Sequence, residues 1–321
     1  MELDRSQNRE ERIEDAVRAG KRVLRHRGYP SANARGLRSS LPGGVRGKVQ
    51  VSSFDLTGHT AVVTGGSGAL GSAAIRTLLD AGARVALLAR NLRHAQNVAQ
   101  TLAAEPNHLL TVGADVTRRD QLERAAEQIA KSWGEIHILV NFAGGNRPAA
   151  TVNAQQTFFD LSPEALLEVV NLNLLGTVYA CQVFGRQMAE QRRGSIVNIS
   201  SMAAARPLTR VVAYGAAKAG VENVTRWLAV YMAQEFSPAI RVNAIAPGFF
   251  LGEQNRALLV NTETGEPTPR GQAILQHTPM ARFGDAVDLG GTLLWLASSA
   301  SSFVTGIVVP VDGGFSAFSG V

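Results

Sequence analysis

Tyr214 and Lys218 stand four residues apart at the start of a predicted helix, so their side chains share one face. A phenol of pKa near 10 exchanges its proton poorly at neutral pH. An adjacent ammonium stabilises the phenolate and draws that pKa toward the working range. Ser201 ends the preceding predicted strand, where its hydroxyl can point at the same spot and hydrogen-bond a substrate oxygen. Asn173 lies in a long predicted helix, where a buried amide can hold a water that relays protons from Lys218. Each has a plain structural explanation taken singly. Tyr-x-x-x-Lys recurs on amphipathic helices, Ser201 can cap a helix, and Asn173 can be a satisfied polar residue. Their joint order between strands points to acid/base chemistry at a carbonyl or carbinol oxygen.

A second group would hold a coenzyme. Thr64-Gly65-Gly66-Ser67-Gly68-Ala69-Leu70-Gly71 joins a predicted strand to a predicted helix. Glycines let the backbone turn tightly and approach a pyrophosphate, and the helix N-terminus offers free N–H groups and a positive dipole end. Gly65, Ser67, Gly68, Leu70 and Gly71 are therefore candidate coenzyme contacts. At the end of the second strand a carboxylate would bind both ribose hydroxyls and repel a 2′-phosphate. Ala89 followed by Arg90 stands there instead, and Arg90 can pair with a phosphate. Asp115 and Val116 end the third strand and would edge an adenine. Asn141, Ala143 and Gly144 end the fourth, where small residues let the chain pass close to the coenzyme. Pro247 and Gly248 follow a later strand and would sit beside the nicotinamide.

The elements that must position these groups alternate strand and helix from Asp55 onward. Strands are predicted at Thr60–Thr64, Arg84–Leu88, Leu109–Val112, Ile138–Asn141, Ser195–Ile199, Ile240–Ile245 and Ile307–Val311. Helices are predicted near 70–82, 92–104, 119–133, 163–191 and 212–235. Strands this apolar, separated by helices, imply a parallel sheet covered on both faces. The fold class expected is α/β, a doubly wound parallel sheet of Rossmann type. The division expected is an N-terminal arm and linker over 1–54, with a short amphipathic helix near 8–27, and one oxidoreductase domain over 55–321. The stretch 249–284, rich in Gly and Pro, breaks the rhythm and is expected to be a lid over the substrate.

Bulk properties narrow the field. The 321 residues are 45% hydrophobic, ample for one large core. Residues 1–50 carry 12 Lys/Arg and 6 Asp/Glu, and the remainder carries 20 of each, so the whole net charge of +6 sits in the arm. The balanced body shows no basic stripe for nucleic acid. No run of 18 apolar residues appears, and the acidic N-terminus is unlike a secretory signal, so no membrane partner and a cytoplasmic location are expected. Cys181 is the single cysteine and reads as a small buried side chain. The six histidines show no ligand spacing, so no metal is expected.

In their order these residues resemble the short-chain dehydrogenase/reductase family, over about residues 55–321. The resemblance implies that Asn173, Ser201, Tyr214 and Lys218 form a catalytic tetrad, that Lys218 also holds the nicotinamide ribose, and that the protein is a homotetramer. Ala69 and Phe142 replace a frequent Gly and a frequent Asn. A narrower likeness, to the D-mannonate oxidoreductase (fructuronate reductase) branch, is carried by Ala143-Gly144-Gly145-Asn146, Asn171-Leu172-Asn173, Pro247 to Leu251 with Gln254-Asn255-Arg256, His277 to Met280, and Val309 to Phe315. That branch implies NAD(H) first and NADP(H) second, and a keto-sugar acid substrate. Arg147 stands where the branch carries His. Arg147, Arg256 and Asn255 are the candidate substrate contacts, Arg being suited to a carboxylate by its two-pronged geometry. The alternatives are another polyol, sugar or 3-oxoacyl substrate, or a non-catalytic nucleotide sensor.

Overall fold

The computed structural model describes residues 51–105, 107–252 and 256–320. The predicted helix near 8–27 and the rest of the arm up to residue 50 lie outside them, as does Asn255.

Seven parallel strands form one sheet: β1 (Thr60–Thr64), β2 (Arg84–Ala89), β3 (Leu109–Gly113), β4 (Ile138–Asn141), β5 (Gly194–Ile199), β6 (Ile240–Pro247) and β7 (Val308–Val311). Their spatial order is β3-β2-β1-β4-β5-β6-β7. Side chains alternate across the sheet, so each strand feeds two cores. Ala61 and Val63 of β1 face Ile75, Leu78, Leu293 and Leu296 on one side. Val62 faces Leu122, Ile129, Phe184 and Met188 on the other. This two-sided burial explains why the strands read as unbroken apolar runs. Pro310, which cannot donate to a ladder, lies in the edge strand β7.

Helices α1 (Ala69–Asp80), α2 (Leu92–Leu102) and α3 (Arg119–Trp133) follow the first three strands. After β4 the chain runs through α4 (Pro163–Val170), a π turn (Asn171–Leu175) and α5 (Gly176–Gln191). The single helix expected over 163–191 is thus three pieces. Ser162 caps it by accepting the Ala165 N–H, and Pro163 fits the first turn. In the π turn the Gly176 N–H reaches back to Asn171 O. By length and hydropathy Pro163–Gln191 could cross a membrane. Instead Ala180, Phe184 and Met188 pack, fully buried, against the sheet, as in a core helix.

Helix α6 (Val212–Glu235) follows β5 and carries Tyr214 in its first turn. Between β6 and β7 lie α7 (Arg256–Leu259), α8 (Pro269–Gln276) and α9 (Gly290–Ala297). The expected lid over 249–284 is held at its ends by a bridge between Phe250 and Gly284 and folded on itself by one between Val260 and Pro267. Gly284 admits no side chain, since a Cβ there would meet the Phe250 ring at 2.7 Å.

β1 pairs with β2 on one side and β4 on the other, Thr64 lying level with both Leu88 and Asn141. The connections leave in opposite directions there, and a crevice opens beyond the carboxyl ends, where α/β sheets of this winding bind ligands.

Candidate active site

A cavity of about 740 Å³ occupies that crevice. One end is the glycine turn. Gly65 has φ +65, and a Cβ on it would lie 2.6 Å from Ala143 N. A Cβ on Gly71 would lie 2.5 Å from Gly65 O. The turn is therefore closed by backbone packed on backbone, which only glycine permits. Ser67, Gly68 and Leu70 line the cavity beside it. Gly68 is the N-cap of α1 and makes no side-chain cap, so the first-turn N–H groups face the space. A cradle without side chains at a helix N-terminus fits a dinucleotide pyrophosphate.

Ala89 and Arg90 line the next part of the wall. Arg90 is exposed and makes no ion pair among the described residues. Asp115 and Val116 line it too, with one Asp115 carboxylate oxygen accepting the Thr117 N–H at 2.9 Å and hydroxyl at 2.7 Å. Ala143, Gly144, Pro247 and Gly248 complete the floor. Asn141 stands apart from them. Its amide lies under the sheet, donating to Asn198 Oδ1 at 2.9 Å and accepting from the Thr64 hydroxyl at 3.4 Å.

At the other end sit Ser201, Tyr214 and Lys218. The Ser201 hydroxyl hydrogen-bonds Tyr214. Lys218 Nζ lies 5.7 Å from the centre of the Tyr214 ring and donates to Ile199 O at 2.7 Å. Burial lowers the Lys218 ammonium to about 8. The expected lowering of Tyr214 is not what the protein alone shows. Burial holds the phenol above its ordinary value, and only the Ser201 hydrogen bond works against that rise. Desolvation outweighs the neighbouring charge, which is turned to a carbonyl.

Asn173 is fully buried in the π turn. Its Oδ1 accepts the Gly145 N–H at 3.0 Å, and its Nδ2 donates to Gly145 O at 2.7 Å and Val169 O at 2.8 Å. Both amide protons are committed to fixing the loop after β4. The same oxygen lies so close to Gly144 that a Cβ there would come within 2.7 Å of it and 3.3 Å of Lys218 Nζ. The four polar groups expected from the sequence thus converge on one cavity end, with Asn173 behind Gly144 and Gly145.

The candidate substrate contacts are spread more widely. Arg147 is held by Glu168 at 2.9 Å, and Arg256 is exposed on α7. Sequence reasoning passes over Asn146 as a site residue, although it belongs to the Ala143–Asn146 motif. Thr151 gives its one hydroxyl proton to Arg147 O at 2.7 Å, so it must accept from Asn146 Nδ2 at 2.8 Å. That fixes the amide and leaves its buried Oδ1 with no partner among the described residues. A buried acceptor in this state calls for a donor, such as a water or a substrate hydroxyl. Cys181 is buried as expected, its thiol pushed up to about 12 by desolvation.

The family model described as enoyl-(acyl carrier protein) reductase matches residues 65–316. The chain is 47% identical over 276 residues to the uncharacterized oxidoreductase UxuB of Bacillus subtilis (strain 168), covering 83% of this chain and 98% of the relative. A crystal structure from Haemophilus influenza, provisionally assigned as a D-mannonate oxidoreductase and holding bound NAD, is similar at a TM-score of 0.78 and 41% identity, over 85% of this chain and 100% of that one. A gluconate 5-dehydrogenase from Burkholderia cenocepacia J2315, in complex with NADP and tartrate, is similar at a TM-score of 0.73 and 29% identity, over 83% and 98%.

Proposed function

The chain belongs to the short-chain dehydrogenase/reductase family and is an NAD(P)-dependent oxidoreductase acting on a CH–OH group, and from that premise we propose that it interconverts a keto-sugar acid of the D-fructuronate/D-mannonate class with its alcohol. The observation that carries the chemistry is the contact of Tyr214 with Ser201 beside a buried Lys218, at the far end of a cavity that begins in a glycine cradle. The choice of sugar acid is supported by the 41%-identical Haemophilus structure and by the branch motifs that end in Asn146 and Arg256.

Bound along the crevice, a nicotinamide dinucleotide supplies or takes up the hydride. The chain's own residues do the rest. Gly65, Ser67, Gly68, Leu70 and Gly71 receive the pyrophosphate, Asp115 and Val116 edge the adenine, and Ala143, Gly144, Pro247 and Gly248 line the nicotinamide end. Ser201 directs the substrate oxygen, and Tyr214, kept neutral by burial, gives that oxygen its proton in the reducing direction. Lys218 holds the ribose and, when charged, favours the phenolate that the oxidising direction needs. Asn173 keeps Gly144 and Gly145 in place so that the floor stays flat under the coenzyme. Arg256, with Asn255 next to it, is the cation that the branch motifs offer the carboxylate. Arg147 already faces Glu168. We further propose NAD(H) as the preferred coenzyme, a cytoplasmic homotetramer as the working form, and 1–54 as an arm separate from the domain that follows.

The test is an absorbance assay of the purified protein with NADH and NADPH against D-fructuronate, neutral ketoses and 3-oxoacyl thioesters. Turnover of D-fructuronate at least tenfold more efficient than the rest is expected. Preference for a neutral ketose or a 3-oxoacyl thioester would leave only the dehydrogenase assignment.

The strand-end residue gives a second expectation. Ala89 lies at the end of β2 in the cavity wall, with Arg90 beside it. Ala89→Asp adds a carboxylate that accepts ribose hydroxyls and repels a 2′-phosphate. The ratio of kcat/KM for NAD(H) over NADP(H) should rise by tenfold or more, and an unchanged ratio would show that this strand end does not meet the ribose.

A further inference from the structure

We propose that Arg210 and Arg270 together form the seat for the substrate's carboxylate beside Tyr214, an inference that rests on the sugar-acid reading above. Arg210 lies four residues before Tyr214, immediately ahead of α6, and its carbonyl accepts the Val152 N–H at 3.0 Å. Arg270 is half-buried in the first turn of α8, on the segment between Phe250 and Gly284. That turn is firmly set. Pro269 opens the helix, Thr268 caps it by accepting the Gly271 N–H at 3.1 Å, and a Cβ on Gly271 would collide with Leu259 O at 2.0 Å.

Arg76, Arg119, Arg124, Arg147, Arg193, Arg226 and Arg282 each face an acid within 4 Å. Arg210 and Arg270 have no such partner among the described residues. Three features make a cation at Arg270 unfavourable as it stands. It is partly out of water, the positive charge of Arg210 acts on it, and it lies at the positive end of a helix dipole. Burial and Arg210, in that order, push its guanidinium below the ordinary value. One bound anion relieves all three. A carboxylate has two oxygens and can meet two guanidinium forks at once. One arginine belongs to the body next to Tyr214 and the other to the segment expected to cover the substrate. An anion between them would tie that segment down at the reacting end. Arg256, on the four-residue α7, has no feature that burial or a like charge makes unfavourable in this way.

The experiment uses the full chain with Arg210→Ala, Arg270→Ala, Arg270→Lys and Arg256→Ala. D-fructuronate is assayed against D-fructose, which carries an uncharged CH2OH in place of the carboxylate. Loss of either seat arginine should lower the fructuronate-to-fructose ratio of kcat/KM by about 30-fold or more, as for truncation of a buried charge pair. Arg270→Lys should recover part of that ratio, and Arg256→Ala should leave it within about threefold. Arg270→Ala should melt no lower than the parent, because it removes an unpaired, half-buried cation. An equal loss with both substrates, or a selective loss in Arg256→Ala alone, would overturn the proposal. Titration with malonate, followed by calorimetry, separates this from a failure of the sugar-acid reading. If the parent ignores D-fructuronate but binds malonate and both alanine variants do not, the anion seat stands and the substrate assignment fails. If malonate binds equally to all, the seat itself is refuted.

Discussion

Tyr214→Phe should bind coenzyme as the parent does and lose roughly 10²- to 10⁴-fold in kcat, the range for removal of a positioned acid/base. The substitution deletes one oxygen from a side chain that packs beside Ala150, Ala165, Val169 and Ala213, so the ring keeps its place. What disappears is the proton held next to Ser201. Ser201 cannot replace it, since an alkoxide at neutral pH is far less accessible than a phenolate. The loss should fall on kcat and kcat/KM alike, as for a group that acts mainly in the transition state. Coenzyme fluorescence titration alongside steady-state kinetics checks both halves. Turnover within tenfold of the parent would sink the acid/base assignment.

Lys218→Met should abolish most turnover while making the fold more stable near neutral pH. The parent ammonium titrates at 10.5 in the unfolded chain and at about 8 when buried. Below pH 8 the folded protein carries a desolvated charge. Between pH 8 and 10.5 it releases that proton while the unfolded chain keeps it, so the penalty fades and stability climbs. Above 10.5 both states are neutral. Met keeps the apolar stem and removes the charge, at the cost of leaving Ile199 O without its donor, about 1 kcal/mol. The net gain at pH 7 is on the order of a few kcal/mol, since each tenfold weakening of proton binding on folding is worth about 1.4 kcal/mol. It should shrink as the pH approaches 10. Urea unfolding of both proteins at pH 7 and pH 10 measures this directly. A variant less stable than the parent at pH 7, or a difference that does not change with pH, would contradict it.

Tyr214, Lys218 and Ser201 were legible because each is placed by local rules. Helical spacing sets two of them on one face, and a strand end sets the third. The glycine turn was legible for the same reason, since its positive φ and missing Cβ atoms are properties of residue type. The strands were read from their apolar runs, which two-sided burial imposes. The direction in which Tyr214 moves was not legible, because a residue's desolvation depends on everything that closes over it. Nor was the pairing of Arg147 with Glu168, 21 residues away, or the turning of the Asn141 amide toward Asn198 across the sheet. Arg270 carried no motif at all. Its interest lies in the acid it does not have, which appears only once every neighbour is in place. The π turn has no sequence period of its own and was hidden inside a helical pattern.

That turn has a consequence for how the chain can change over descent. Between Asn171 and Leu175 the helix holds one residue more than its hydrogen-bond ladder has rungs for. A deletion of a single codon there would be absorbed by an ordinary α-helix, with every backbone group still paired. The stretch from Gly176 to Gln191 would nevertheless be rotated by about 100°, the angle of one residue. Ala180, Phe184 and Met188 would turn away from the sheet, and the amide of Asn173 would leave Gly145. Letters in this segment can be exchanged one for one, with losses of ordinary size. Its length cannot vary, so among homologous chains insertions and deletions should be excluded from residues 171–191 far more strictly than substitutions.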